Sequence, residues 1–320
     1  SIVSLEEVVR EGDPITVSDE DYGVADVFLT SWRLEDAPLP SVLATGLFSK
    51  LAIRIPVTSG NPDGNTILAI ETSPVTVSGA TVNLVAAAGA EVASGNGTYR
   101  EFNAFSMSDI TPSGSLVFFS ALDDTDNGSA DNTAIFRYNP NGSVTEIVRR
   151  GDSAVGGVFD GFSDIRTNDI GDFVFQGRND SADPANDTAI YRVNSGGSLA
   201  VSLVAKGDTA PTSDPEQRIF RQLSRMRINN DGVVGFAAVL RDENGFAISD
   251  DSGLYTTNGL SITEIVREGQ LTPDGENRFR DFASTFTGAV PSAAFNDLEQ
   301  FAFTVDVVPV AGGQPLEGVF

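Results

Sequence analysis

The sequence contains no cysteine and no histidine. These absences exclude disulfides, thiol nucleophiles, imidazole bases and thiolate zinc sites. Lysine occurs only at Lys50 and Lys206. No run of about twenty apolar residues is present, so the sequence predicts no membrane span. With no disulfides, the stability of the fold has to come from the packing of its core and from the way the fold closes.

Positive charge is also scarce, because 45 acidic residues face only 20 basic ones and the net charge is −25. Such a surface repels a nucleic-acid backbone, so nucleic acid is excluded as a partner. The 29 aspartates outnumber the 16 glutamates, and this bias fits an extracellular or saline setting. A hydrophobic content of 40% predicts a folded chain. We expect a secreted protein, located outside the cell or at its surface.

An apolar strand that ends in a glycine turn occurs five times along the chain. The turn glycines are Gly12, Gly89, Gly151, Gly207 and Gly269. Their spacings of 77, 62, 56 and 62 residues indicate one supersecondary unit that is used repeatedly. The sequence therefore predicts an array of repeats.

Each unit contains further strands with short turns between them. A tight turn precedes a second strand at residues 111–114, 168–171, 229–232 and 296–299, and third strands are predicted at 133–138, 188–193 and 253–256. Four short antiparallel strands per unit, with no helical period, are typical of β-propeller blades. The predicted fold is an all-β, five-bladed β-propeller of four-stranded antiparallel blades in one domain, 1–320, with blades at 13–89, 90–151, 152–207, 208–269 and 270–320.

The last unit is one strand short, and the missing strand is found at the other end of the chain. Residues 4–10 match residues 143–149, so an N-terminal closing strand, 1–12, is predicted to complete the fifth blade. The contact would involve Leu5, Val8, Val9, Val319 and Phe320. Closure within one chain removes the open sheet edge. The same strand from a neighbouring copy gives a head-to-tail contact and a filament. Both arrangements fit the sequence.

One loop carries the residues that are best suited to a cation. Asp123, Asp124, Asp126 and Asp131 lie on a glycine-turned loop, and their carboxylate oxygens are ligands of the kind that calcium prefers. The loop lacks the twelve-residue calcium-binding pattern and its terminal glutamate. Calcium and solvated turns therefore remain alternatives, and no other cofactor is predicted.

Five Asn-x-Ser/Thr sequons fall in predicted loops, where they would be exposed glycosylation acceptors in a host with that pathway. They are at Asn96, Asn127, Asn141, Asn179 and Asn186.

Two other functional classes deserve comparison with a structural protein. A sugar-binding propeller would use aromatic platforms, for which Tyr138 and Tyr191 are candidates, and its partners would be surface glycans. A glycosidase would need two carboxylates with separated pKa values. The acidic residues are spread evenly over the repeats, so no such pair stands out.

Glutamate and arginine recur three residues apart in the opening strands, as at Glu146 and Arg149 and at Glu264 and Arg267. On a regular strand this offset places the two side chains on opposite faces. We therefore expect no pairing within the strand and favour pairing with a neighbouring blade.

The turn-and-strand motif resembles that of the bacterial choice-of-anchor tandem-repeat proteins, named for the sequence N-x-x-G-x-x-A-F. The matching residues are Asn168, Gly171, Val174 and Phe175; Asn229, Gly232, Gly235 and Phe236; Asn296, Ala302 and Phe303, with Glu299 in place of glycine; and Gly114, Val117 and Phe118, with Thr111 in place of asparagine. The resemblance covers most of the chain from Leu84 onward. It implies a secreted, surface-associated protein and supplies no catalytic residues.

These features lead to the hypothesis of a non-enzymatic extracellular structural or adhesion protein, with self-association through the N-terminal strand as its sharper form. A lectin-like propeller is the alternative, followed by a carboxylate-based glycosidase.

Overall fold

The computed structural model describes residues 14–17, 20–24, 28–34, 49–56, 65–72, 81–101, 107–108, 110–211, 217–246, 251–280, 282 and 294–320, with nearly all side chains from residue 84 onward. Apart from one 3-10 turn at Gly128–Ala130, the regular elements in these ranges are β-strands. The fold is therefore all-β, as the sequence predicts. No helix in these ranges has the length and hydropathy needed to cross a membrane. The expected closing strand, 1–12, lies outside the described residues.

The chain divides into two compact units, Ser1–Gly151 and Asp152–Phe320. In the first unit all strand pairs are antiparallel, and the sheet orders are β1-β2, β3-β4-β5-β6 and β7-β8-β9-β10. The strands are β1 (Pro14–Val17), β2 (Glu20–Val24), β3 (Phe28–Leu34), β4 (Ser49–Pro56), β5 (Asn65–Thr72), β6 (Thr81–Ala87), β7 (Thr98–Glu101), β8 (Leu116–Asp123), β9 (Thr133–Tyr138) and β10 (Val144–Arg149).

The second unit repeats this antiparallel pattern, and its strands are β11 (Ser153–Ala154), β12 (Gly157–Thr167), β13 (Phe173–Asn179), β14 (Thr188–Val193), β15 (Val201–Ala205), β16 (Thr209–Ala210), β17 (Arg218–Ile228), β18 (Val234–Asp242), β19 (Ser252–Thr257), β20 (Ile262–Arg267), β21 (Asn277–Arg280), β22 (Ala294–Phe295), β23 (Phe301–Ala302), β24 (Thr304–Pro309) and β25 (Leu316–Val319). Strands β11 to β15 and β16 to β20 form two sheets in chain order. The remaining strands form the sheets β21-β24-β25 and β22-β23.

Three aromatic side chains, one from each of three successive segments, form the centre of each repeat from β7 onward. The sets are Tyr99, Phe118 and Phe136; Phe159, Phe175 and Tyr191; Phe220, Phe236 and Tyr255; and Phe279, Phe303 and Phe320. In every set the second and third rings stack with centroids 5.3–5.8 Å apart. The first ring meets the third nearly edge-on at 4.9–5.2 Å. Each repeat thus has its own aromatic centre, in geometries that aromatic pairs prefer.

The predicted tight turns have one conformation in four repeats. In the third repeat the Asn168 N–H donates to the Asp172 carbonyl, and the Gly171 N–H donates to the Asn168 carbonyl. The side-chain oxygen of Asn168 also accepts from the Asp172 N–H at 2.8 Å. Gly171 takes a φ of 90°, where glycine pays no steric penalty, and Glu299 occupies the equivalent place in the last repeat with a φ of 60°. The asparagine and glycine of the motif therefore have separate local roles.

The same asparagines also join neighbouring repeats of the second unit. The buried Asn168 donates through Nδ2 to the Asn229 carbonyl at 2.8 Å, and Asn229 donates to the Asn296 carbonyl at 3.5 Å. A second row lies beside the first, where Asn230 Nδ2 donates to Asp297 at 3.0 Å and to Asp169 at 3.3 Å. We call these contacts between residues 168–169, 229–230 and 296–297 the turn row.

We expect Asn229→Ala to lower the free energy of unfolding by about 3 kcal/mol, because it removes one acceptor and one donor inside the protein. Asn229 accepts from the Asp231 and Val233 N–H groups as well as donating to the next turn. Equilibrium urea unfolding measures the change.

Asn229→Thr is the matched control for this experiment. A threonine keeps an acceptor but has no amide donor, as at Thr111, where Oγ1 accepts from the Ser115 N–H at 2.9 Å. It should cost about half as much as the alanine. No loss for Asn229→Thr would show that the donor to the next turn contributes nothing, and equal losses for the two variants would show that the acceptor contributes nothing.

Candidate functional site

The fourth strands of the first four repeats share a β-bulge that regular strand alternation does not predict. Pairing skips one residue on β6, β10, β15 and β20, and the skipped residues are Val85, Ile147, Leu203 and Ile265. An inserted residue moves every side chain beyond it to the other face of the strand. The recurrent Glu-x-x-Arg pattern was the available signal for this bulge.

The bulge overturns the expectation that Glu146 and Arg149 lie on opposite faces. Glu146 stands opposite Phe136 and Arg149 opposite Ala134, so the two side chains share one face. Arg149 Nη2 donates to Glu146 Oε2 at 2.6 Å, and its Nε donates to Oε1 at 2.9 Å.

The same ion pair occurs in the fourth repeat, where Arg267 Nε lies 3.2 Å from Glu264 Oε2. Arg149 and Arg267 are both buried. Glu-x-x-Arg is therefore the signature of a bulged fourth strand with a pair inside it.

We expect Glu146→Ala to lower the free energy of unfolding by about 3 kcal/mol, because it leaves the buried Arg149 charge without its carboxylate. Urea unfolding measures the loss. Asp160→Ala is the control, since it breaks an ion pair of the same length to Arg178, whose side chain is 59% exposed. That control should cost less than about 1 kcal/mol. A cost for Glu146→Ala as small as that of the control would contradict a structural role for the pair.

The last repeat presents an unusual edge. Its main sheet has three strands, β21, β24 and β25, and no described strand pairs with the outer side of β25. Phe303 and Phe320 exchange backbone hydrogen bonds of 2.9 Å, which places Phe320 where Phe136 lies in the second repeat. Leu316 and Val319 are 56% and 78% exposed. We call β25 together with Phe320 the open edge. Leu5, Val8 and Val9, its expected partners, lie outside the described residues.

The aspartates considered for calcium occupy one loop but do not gather. Asp131 is buried and accepts from the side-chain amides of Asn96 and Asn127 at 3.0 and 3.3 Å. Asp123 and Asp126 are exposed, and Asp123 lies 3.7 Å from Arg100. Asp124 is exposed with a φ of 54°. Within the described ranges, no three acidic side chains come together in a way that could hold a metal ion.

The sequons differ in their exposure. Asn127, Asn141 and Asn186 are exposed, and Asn96 is half-buried with its amide donating to Asp131. Asn179 ends strand β13, is 5% exposed and donates to the carbonyls of Val155 and Asn186. The expectation of an exposed loop acceptor is therefore wrong at Asn179, because its side chain holds two loops together.

The two tyrosines considered as sugar platforms are both in the core. Tyr138 is 5% exposed and Tyr191 is 3% exposed. The Tyr191 ring stacks on Phe175, its hydroxyl accepts from the Val155 N–H at 3.1 Å, and burial raises its pKa. These residues cannot serve as sugar platforms, because strands β9 and β14 are buried along nearly their whole length.

Several described carboxyl groups have perturbed pKa values, all in the same direction. Burial alone favours the neutral form of Asp187, but hydrogen bonds from Lys206 and Thr188 and the charge of Lys206 lower its pKa below the usual range. Burial likewise opposes ionisation of Asp131, yet the hydrogen bonds that it accepts lower its pKa. Hydrogen bonds from Thr272 and the Glu276 N–H lower the pKa of Asp274. These groups are stabilised as carboxylates, whereas a general acid requires a raised pKa.

The pair of Asp187 and Lys206, with 2.5 Å between Asp187 Oδ1 and Lys206 Nζ, predicts a pH dependence. Because folding lowers the pKa of Asp187, its contribution is present above the unfolded pKa of about 4 and is lost as the pH falls through the folded pKa. We expect the urea midpoint of the wild type to fall more than that of Asp187→Asn when the pH is lowered from about 6 to about 3. Parallel losses in the two proteins would contradict the prediction.

A family model described as "Family of unknown function (DUF7453)" matches residues 75–314, about three quarters of the chain. The chain belongs to the DUF7453 family. The matched span contains the turn row and most of the repeats in which the aromatic sets and the bulged strands occur. No functionally curated protein matches this DUF7453 chain.

Solved structures similar to this DUF7453 protein include the following three, all at low identity. The β-propeller domain of the Trilobed protease from Pyrococcus furiosus is 10% identical, with a TM-score of 0.35 over 92% of this chain and 82% of that one. The Trypanosoma rangeli sialidase is 13% identical, with a TM-score of 0.34 over 86% of this chain and 42% of that one. The endo-arabinase from Bacteroides thetaiotaomicron is 12% identical, with a TM-score of 0.32 over 92% of each chain. At these values the likeness transfers neither a substrate nor a reaction.

Proposed function

We propose that this DUF7453 protein is a non-enzymatic structural or adhesion protein of the cell exterior, built as a five-bladed β-propeller whose last blade is completed by residues 4–10. The observation that carries the proposal is the open edge. In the second, third and fourth repeats, the strand equivalent to β25 is β9, β14 or β19, and each of these pairs with a bulged fourth strand.

Residues 4–10 carry the signature of that missing strand. Glu7 and Arg10 stand three apart with two valines between them, as Glu146 and Arg149 enclose Ile147 and Val148. The bulge explains why this spacing recurs, because only a bulged strand brings the two charges together. The signature therefore supports a fourth-strand role for this segment.

The register of the proposed pairing follows from the second repeat. Val148 stands opposite Ile135, and the place of Ile135 is taken by Val319 in the last repeat. Val9 would then lie opposite Val319 and would cover a side chain that is 78% exposed. Burial of apolar side chains at this edge, together with a full backbone ladder, favours completion.

Two features support the non-enzymatic part of the proposal. The chain has neither histidine nor cysteine, and the carboxyl groups described above are held as carboxylates. The acidic surface, the repeats and the resemblance to secreted repeat proteins support a location outside the cell. Turnover of a polysaccharide by the purified chain would contradict this part.

Thiol crosslinking tests the strand completion directly, because the native chain contains no cysteine. We expect Val9→Cys combined with Val319→Cys to be joined by a short bis-maleimide. A link within one chain gives a compact 33.7 kDa species and indicates a closed propeller that displays its loops. Links between chains give a ladder of multiples and indicate a filament-forming structural protein. Electrophoresis and light scattering separate the two.

Val9→Cys combined with Val310→Cys is the matched control, because Val310 is also an exposed valine, at 55%, but lies beyond the end of β24. It should remain uncrosslinked. Equal crosslinking in both double variants, or none in either, would refute the completion of the last blade by residues 4–10.

A further inference from the structure

A polar cleft of about 750 Å³ lies between the third and fourth repeats. Its wall from the third repeat includes Gln176, Lys206 and the loop that contains Pro184. Its wall from the fourth repeat includes Arg221, Gln222, Leu223 and Arg241. The Gln176 amide donates to the Leu223 carbonyl at 2.7 Å and joins the two walls. The volume is within the range of sites for small molecules.

The charge of this cleft is opposite to that of the chain. Lys206, Arg221 and Arg241 line it together with one carboxylate, Asp183, although the chain as a whole carries −25. Asp183 accepts through both oxygens from its own loop, from the Ala185 N–H at 2.8 Å and the Asn186 amide at 2.9 Å. Asp187 offsets Lys206 at 2.5 Å. The two arginines therefore dominate the remaining charge.

The cleft also contains a hydrogen-bond donor that the protein does not use. Lys206 donates to the Pro184 carbonyl at 2.6 Å and to Asp187, which leaves one of its three N–H donors.

We propose that this cleft binds a small polyhydroxylated carboxylate, of which a hexuronate is the simplest example. Guanidinium groups pair with carboxylates through two parallel hydrogen bonds, which suits Arg221 and Arg241. The Gln222 amide and the remaining Lys206 donor suit hydroxyls. Pro184 and Ala185 provide an apolar surface for the carbon face of a ring. The cleft is far larger than an inorganic anion requires. This site is independent of residues 4–10.

Isothermal titration of the full chain with sodium D-glucuronate at low ionic strength tests the proposal, with D-glucose and sodium sulfate as comparators. We expect binding of glucuronate, no measurable binding of glucose, and only weaker binding of sulfate. Arg221→Gln and Arg241→Gln should each weaken glucuronate binding by about tenfold. Asp187→Asn should strengthen it, because it removes the charge that offsets Lys206. The Arg221 side chain is exposed, so its variant should fold normally.

Arg278→Gln is the matched control, since Arg278 is an exposed arginine of the same unit whose Nη1 donates to the Gly269 carbonyl and which does not line the cleft. Its affinity for glucuronate should equal that of the wild type. The proposal is overturned if glucuronate does not bind, if glucose binds equally well, or if sulfate binds as tightly. It is also overturned if Arg278→Gln weakens binding as much as Arg221→Gln does.

Discussion

The hydrogen bond from the Asn168 side chain to the Asn229 carbonyl joins the third and fourth repeats beside a hydrophobic core that the two repeats share. The same amide group organises its own turn through Oδ1 and reaches the next repeat through Nδ2. A side chain with both an acceptor and a donor is needed for this, and it must be short enough to remain buried. The asparagine of the repeat motif is therefore a connection between repeats as well as a turn residue.

Around the turn row, each repeat has its own aromatic centre, because a stacked and an edge-on aromatic contact recur in all four described sets. The buried apolar side chains of the third and fourth repeats nevertheless form one cluster, so neighbouring repeats share a core. The bulged fourth strand adds a buried ion pair in two of the repeats, at Arg149 and Arg267. Aromatic centres within repeats, together with apolar packing and hydrogen bonds between repeats, stabilise a chain that has no disulfides. This division of roles is typical of repeat proteins.

Much of the all-β fold could be predicted from the sequence, because turns and strands are local. Strands β9 and β14 begin and end where the sequence places them, and Gly171 has the positive φ that its turn requires. Properties that depend on register were harder to predict, although the recurrent Glu-x-x-Arg pattern carried the signal of the bulge. Regular alternation placed Glu146 and Arg149 on opposite faces, and one inserted residue reversed that result. Nor does local sequence separate a buried Tyr191 from a surface platform, or bring Arg221 and Arg241 to one cleft.

The direction of the buried turn row has a consequence for how such chains lengthen. Asn168 donates to the turn that follows it and Asn229 does the same, while Asn296, at the end of the row, donates to Gln300 within its own turn. A duplicated repeat inserted between two of these repeats would accept a hydrogen bond from the asparagine side chain of the turn before it. Its own asparagine would donate to the carbonyl of the turn after it. Tandem duplication of whole repeats thus preserves the hydrogen bonds of the turn row, whereas duplication of a part of a repeat would break one of them. The whole repeat is therefore the unit by which such a chain can lengthen.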